Sequence, residues 1–204
     1  MSEWFNGGNE ERTATFMFTR HSGVELLNFT PADVDTDDIA HALGMQCRFN
    51  GHTKEFYSVA QHCVLVAELL SRRGASVKLQ LYGLLHDAGE AYVGDVTVPV
   101  QNAAGPAAFG TAAKELEDGI LDQIMYAVLG KESGLTPKEA EALHQADKDM
   151  GRVEIRDLIE HSFGMVDFSD LADEGQILWC ARPEDARELW LCKLRHLTEA
   201  LEAQ

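Results

Sequence analysis

Apolar and polar positions alternate in two registers along this chain. Near the start, Thr13–Thr19 alternates with a period of two, and Val24–Phe29 is a second strand-like run. Together they predict a small β-hairpin. Beyond Pro31 the period changes to that of helices. Thr36-Asp37-Asp38 ahead of Ile39, Ala40 and Leu43 reads as a helix start. Ser58–Arg73 predicts a helix capped by Ser58, with Val59, Val66 and Leu69 on one face. Ser76–Ala88 predicts a second, with Leu79, Tyr82 and Leu85 or His86 on one side. Gln101–Gly110, rich in Gly, Ala and Pro, reads as a loop. Ala112–Leu129 predicts a third long helix, and Thr136-Pro137 opens a fourth that runs to about His161. Pro183–Glu202 is the last, with Pro183 at the first helical position and Leu189, Leu194, Leu197 and Leu201 on its apolar side. The expected fold is all-α with a minor N-terminal hairpin. Residues 1–12 are polar and predict a loose terminus.

A chain of 204 residues suits one domain, 1–204, around one core. The net charge of −17 argues against nucleic-acid polymers as partners, because their binding rests on Lys and Arg against phosphates. A small anionic substrate stays compatible with such a surface if a metal or a few placed cations act locally. Met1-Ser2-Glu3-Trp4 lacks the basic start of a signal peptide, and no apolar run nears the roughly 20 residues of a membrane span. A cytoplasmic protein without membrane attachment is therefore expected. Cys47, Cys63, Cys180 and Cys192 fit no zinc knuckle or redox pair and are expected as reduced thiols, mostly in the core.

Three of the predicted helices carry an ionisable residue on an apolar face. His62 lies between Val59 and Val66. His86, with Asp87 beside it, follows Leu79 and Tyr82. Asp147 lies between Leu143 and Met150, whereas Asp149 falls on the side expected to be solvated. A buried lone carboxylate is costly unless paired, hydrogen-bonded or bound to metal. One divalent ion shared by two imidazoles and two carboxylates would account for all four residues and leave positions open for water and substrate. Manganese, cobalt, zinc, iron and magnesium all suit such a set. Taken singly, each residue has a plainer reading, as a satisfied core histidine or a solvated aspartate.

The order His62, His86-Asp87, Asp147 resembles the H…HD…D signature of the HD-domain phosphohydrolases. The likeness extends over about residues 20–155, through Asp38-Ile39-Ala40-His41-Ala42-Leu43, Arg48-Phe49-Asn50-Gly51-His52-Thr53, Tyr57-Ser58-Val59-Ala60-Gln61-His62 and Leu84-Leu85-His86-Asp87-Ala88-Gly89-Glu90-Ala91-Tyr92-Val93-Gly94-Asp95. These stretches are similar to a branch that includes 5'-deoxynucleotidases and phage dATP triphosphohydrolases. The resemblance implies an HD-type helical bundle, a homo-oligomer, and metal ligation by His62, His86, Asp87 and Asp147. It implies acid/base work by Glu90, which stands at i+4 from His86 and so faces the same cavity. Asp95 matches a second acid near the attacked phosphate and equally suits a turn after Gly94. Arg48, His52 and Arg20, with Lys54 nearby, could offer charge to phosphate oxygens; for Arg20 and His52 a surface role is as good a reading. Where relatives often carry Lys, this chain has Pro99-Val100-Gln101.

The implied activity is hydrolysis of a deoxynucleotide at its 5'-phosphate ester, with dATP going to deoxyadenosine and triphosphate as the favoured reaction. A 5'-deoxynucleotidase acting on monophosphates is the alternative. Two others are a cyclic or signalling-nucleotide phosphodiesterase, for which His144, His161 and His196 are spare histidines, and a non-catalytic nucleotide-binding module. The sequences G-x-x-x-x-G-K-[ST], G-x-S-x-G and H-E-x-x-H are absent, so P-loop, serine-hydrolase and zincin chemistries find no support.

Overall fold

The computed structural model describes residues 15–104, 109–130, 133–161, 164–171 and 174–204. The expectations for residues 1–12 and for Thr13 lie outside them. Strands β1 (Phe16–Phe18) and β2 (Gly23–Glu25) pair antiparallel, with Met17 opposite Val24. Two 3-10 turns, Leu26–Asn28 and Pro31–Asp33, lead into helix α1 (Thr36–Met45). Asp35 caps α1, its side chain accepting from the amides of Asp37 and Asp38. The remaining helices are α2 (Val59–Arg72), α3 (Val77–Leu85), α4 (Glu90–Val93), α5 (Val98–Ala104), α6 (Phe109–Leu129), α7 (Pro137–Leu158) and α8 (Pro183–Glu202). The protein is thus mainly helical, with one two-stranded sheet among the described residues. No described helix is long and apolar enough to cross a membrane.

Helix α2 holds the centre, packed by α1, α3, α7 and α8. Its polar residues Gln61 and His62 are buried along with its apolar ones, so its amphipathic pattern understates its burial. Buried polar groups need partners. Gln61 finds them in the Trp179 carbonyl at 3.0 Å and the Ala181 amide at 2.7 Å, which fastens the segment before α8 to the core. Helix α8 covers α1, α2 and α3, and its fully buried Trp190 donates to the Leu84 carbonyl at 3.1 Å. The residues after 183 thus brace the two helices that carry His62 and His86.

Three expectations need correction. Gln101–Ala104 is helical, as are Phe109 and Gly110; 105–108 lie outside the described residues. Gly and Pro lower helix propensity without excluding it, and the alanines of this stretch are strong helix formers. Of the cysteines only Cys63 is buried; Cys47 and Cys180 are half-buried and Cys192 is exposed. Asp149 is not solvated. It is 6% exposed and accepts from Arg73 at 2.7 Å, Gln145 at 2.8 Å and Arg152 at 3.3 Å. Long cationic side chains from the C-cap of α2 and from α7 enclose it, which helical periodicity alone does not reveal.

After Leu85 the chain tightens, with the Ala88 amide on the Leu85 carbonyl and the Glu90 amide on the Asp87 carbonyl. Helix α6 packs so closely here that a Cβ on Gly89 would lie 2.9 Å from the Glu117 backbone oxygen. Gly89→Ala is therefore expected to cost about 1–3 kcal/mol, the usual penalty of overpacking. Urea unfolding checks this, and an unchanged midpoint would show that α6 does not constrain the turn.

Candidate metal centre

His62, fully buried on α2, and His86, at the C-terminal end of α3, are brought together with ring centroids 5.3 Å apart. Each imidazole is held by its Nδ1 atom. His62 Nδ1 meets Glu154 Oε1 at 2.5 Å, and His86 Nδ1 donates to the Gly83 carbonyl at 2.9 Å. Both Nε2 atoms are thereby aimed into one space, and both are buried without a hydrogen bond. Asp87 and Asp147 approach the same space. Asp147 Oδ1 is 3.1 Å from His62 Nε2 and 3.6 Å from His86 Nε2. Asp87 is 3.3 Å from His86 Nε2 through Oδ1 and 3.7 Å from His62 Nε2 through Oδ2.

These spacings suit a ligand set as well as a set of ion pairs. Donors bound at about 2.0–2.2 Å to one ion, at angles between octahedral and tetrahedral, stand about 2.8–3.6 Å from their neighbours. The four observed separations, 3.1 to 3.7 Å, fall in or next to that range. Both Nε2 atoms are left without a hydrogen bond of good geometry, a need that a bound ion would meet. Donor atoms of His62, His86 and Asp87 lie within 4.8 Å of one another, and Asp147 joins them through the two imidazoles. The residues therefore fit a divalent ion, with Asp147, 39% exposed, on the side open to solvent.

The electrostatics agree. Burial pulls both imidazoles toward neutrality, for His62 with help from Arg48. The carboxylates Glu154 and Asp147 around His62, and Asp87 and Asp147 around His86, overcome this and raise both pKa values. Burial would raise Asp147, but the two histidines hold it far below the usual carboxylate range. A divalent cation answers the same surplus of negative charge that here draws protons onto imidazoles.

Glu90 opens α4, three residues after Asp87. Its Oε2 is buried without a hydrogen bond. Burial first, then the charges of Asp87 and Asp95, push its carboxyl up to about 9, against the opposing pull of Arg48. Gly94, at φ +85°, ends α4 in a conformation open to glycine and turns the chain into Asp95. Asp95 is half-buried. Burial raises its pKa, Asp87 adds to this, and Arg48 and His62 oppose it.

Of the four basic candidates, the structure brings Arg48 to the cluster. Its Nη1 is 3.6 Å from Asp87, and its Nε donates to Glu154 at 3.0 Å. It is presented by a turn in which Phe49 and Asn50 both adopt positive φ, 54° and 50°, which costs roughly 1–2 kcal/mol per residue. His52 ends that turn with its side chain exposed, and Lys54 reaches the Asp157 carbonyl instead. Arg20 faces Asp37 at 3.5 Å and borders a different cavity with Asp38 and Tyr92.

Glu154 escaped the sequence reading. It is fully buried and accepts from Tyr57 Oη at 2.9 Å as well as from Arg48, besides meeting His62. Burial alone would raise its pKa; Arg48 and His62 outweigh that and hold it ionised. The available signal was its spacing of i+7 from Asp147, two turns along one face of α7. Glu154→Leu would take from the buried Arg48 its nearer carboxylate, leaving only Asp87 at 3.6 Å, and would strip Tyr57 and His62 of their acceptor. A loss of about 3–5 kcal/mol is expected in urea unfolding; a loss under about 1 kcal/mol would show that Arg48 and Tyr57 find other partners.

A cleft of about 680 Å³ opens beside His86, bordered by Tyr82, Leu121, Met125, Tyr126 and Leu143. That volume suits a small-molecule ligand, and its walls are mainly apolar.

Two relatives match part of the chain. An uncharacterized protein of Rhodobacter capsulatus is 37% identical over 135 residues, 64% of this chain and 66% of its own length. The uncharacterized protein YfdR of Escherichia coli is 36% identical over 126 residues, 62% of each. The chain thus spans slightly under two thirds of these relatives. The family model described as "HD domain" matches residues 59–167, which include His62, His86, Asp87, Glu90, Asp95 and Asp147. HD domains bind divalent metals and point to metal-dependent phosphohydrolase activity. With more than half of its residues matched, and the HD pair at His86-Asp87 set in the cluster just described, this chain belongs to the HD-domain family.

Proposed function

We propose that His62, His86, Asp87 and Asp147 hold a divalent ion and that the protein hydrolyses deoxynucleotides at the 5'-phosphate ester, converting dATP to deoxyadenosine and triphosphate. The observation that carries this reading is the pair of buried, unpartnered Nε2 atoms facing two carboxylates. A divalent ion supplies polarisation of a phosphoryl oxygen and acidification of a water molecule. The protein's own groups do the rest. The apolar cleft beside His86 takes base and sugar, which sets the 5'-ester next to the cluster. Arg48 adds positive charge beside Asp87. Glu90, whose raised pKa keeps a proton on its carboxyl near neutrality, delivers that proton to the leaving 5'-oxygen as a water oxygen bonds to the phosphorus and the P–O bond breaks, the water's own proton passing to solvent. Phosphoryl transfer depends chiefly on such positioning and charge neutralisation. The dATP assignment itself rests on the resemblance of the RFNGHT, YSVAQH and HDAGEAYVGD stretches.

One observation favours a second reading, a 5'-deoxynucleotidase acting on monophosphates. A triphosphate tail calls for several cations, and of Arg20, Arg48, His52 and Lys54 only Arg48 stands at the cluster. The discriminating experiment assays all four dNTPs and dNMPs with manganese and with cobalt, resolving orthophosphate, pyrophosphate and triphosphate. Free triphosphate from dATP is expected. Orthophosphate from dAMP with no triphosphate from any dNTP would select the second reading. Metal-loaded protein that cleaves neither set would overturn both.

A further inference from the structure

We propose that Glu154 is a positioning residue for the HD centre: from α7 it holds the ring of His62 with its hydrogen on Nδ1, so that the Nε2 lone pair faces the divalent ion. The inference rests on the metal reading above and extends it to a carboxylate that stands behind His62, on the opposite side of the ring from Nε2.

Three donors converge on this one carboxylate. Oε1 accepts from Tyr57 Oη at 2.9 Å and meets His62 Nδ1 at 2.5 Å, while Oε2 accepts from Arg48 Nε at 3.0 Å. Glu154, Tyr57 and His62 are all fully buried, so solvent does not compete for these places. Arginine can only donate, and a carboxylate beside it can only accept. Nδ1 of His62 therefore donates to Oε1. In the neutral ring the lone pair then falls on Nε2, the atom that points into the cluster without a hydrogen bond.

The two histidines are held by different means. His86 Nδ1 donates to the Gly83 carbonyl at 2.9 Å, three residues back at the end of its own helix. His62 draws its acceptor from 92 residues further along the chain. The helix that supplies it also supplies Asp147, two turns earlier on the same face. Asp147 Oδ1 stands 3.1 Å from Nε2 and Glu154 Oε1 2.5 Å from Nδ1, so α7 grips the ring at both nitrogens.

Segment 48–57 delivers the other two donors from its two ends. The Arg48 amide donates to the Tyr57 carbonyl at 2.9 Å, and Cys47 bridges to Ser58 beside them. Between these ends Phe49 and Asn50 take positive φ, a strain that persists only where surrounding contacts hold it. Ser58 follows at once as the cap of α2, the helix of His62. One closed loop thus sets both the start of α2 and the carboxylate behind its histidine.

Only a carboxylate serves three donors. In Glu154→Gln the amide NH2 must face either Arg48 or the pair Tyr57 and His62. Tyr57 and His62 can each turn acceptor, whereas arginine cannot, so the NH2 settles toward His62. That forces the ring hydrogen to Nε2, where it blocks ligation.

The test compares the full chain with Glu154→Gln, after circular dichroism has checked the fold, by calorimetric titration with zinc and with manganese. The variant is expected to bind roughly 10- to 100-fold more weakly, the usual effect of removing such a partner of a ligating histidine. Nitrogen-15 spectra of histidine-labelled, metal-free protein, at a pH that leaves the rings neutral, read the tautomer directly. Hydrogen on Nδ1 of His62 is expected in the unaltered chain, and hydrogen on Nε2 in Glu154→Gln. The first of these results needs no variant to fold. Hydrogen on Nε2 of His62 in the unaltered chain, or a folded Glu154→Gln that binds both metals with unchanged affinity, would overturn the proposal and leave the four-ligand reading standing. An unaltered chain that binds neither metal would overturn both.

Discussion

Replacing Asp87 with alanine is expected to remove the divalent ion from the HD centre and to abolish turnover. Asp87 sends one oxygen toward each imidazole Nε2, at 3.3 and 3.7 Å, so its loss takes away one of the two carboxylates that reach both histidines. It also leaves Arg48, only 15% exposed in its side chain, with Glu154 as its remaining close partner. The informative control is Lys148→Ala, an exposed residue next to Asp147 on α7 that should change neither metal content nor turnover. Asp149, though two residues from Asp147, is unsuitable because it is buried under Arg73 and Arg152 and its removal tests stability. Metal analysis with single-turnover assays decides the matter. An Asp87→Ala protein that keeps ion and activity would refute the ligand role.

Glu90→Gln is expected to keep metal and substrate binding while kcat falls by roughly 100- to 10,000-fold, the usual loss when general acid/base help is removed. The substitution preserves shape and removes the proton that the raised pKa retains. The readout is kcat alongside metal affinity and KM. An unchanged kcat, or metal loss as severe as with Asp87→Ala, would exclude proton transfer as the role of Glu90.

Much of the fold was legible because the relevant signals are local. Ser58 caps α2 through the Gln61 amide, Ser76 caps α3 through the Leu79 amide, and Thr136 with Glu139 forms a capping box on α7. Pro183 starts α8 where its fixed φ suits the first turn. What was not legible depends on distant partners. Asp149 and Glu154 sit in a charged stretch that reads as a solvated face, and they are buried only because Arg73, Arg48, Tyr57 and His62 come from elsewhere in the chain to meet them. Arg48, His52 and Lys54 are close in sequence, and Arg20 precedes them in the hairpin, but the turn at Phe49–Gly51 and the hairpin send them to different places. Linear proximity of cations therefore misjudged how many reach the cluster.

One ion shared by four side chains drawn from α2, the turn after α3, and α7 would make this site a metal centre. Crystals of the full chain grown with manganese, with diffraction collected at the manganese absorption edge, test this most directly. An anomalous peak bonded to Nε2 of His62, Nε2 of His86 and the carboxylates of Asp87 and Asp147 is the predicted result. Ordered side chains in the arrangement described here, with no anomalous density between them at saturating manganese, would contradict it.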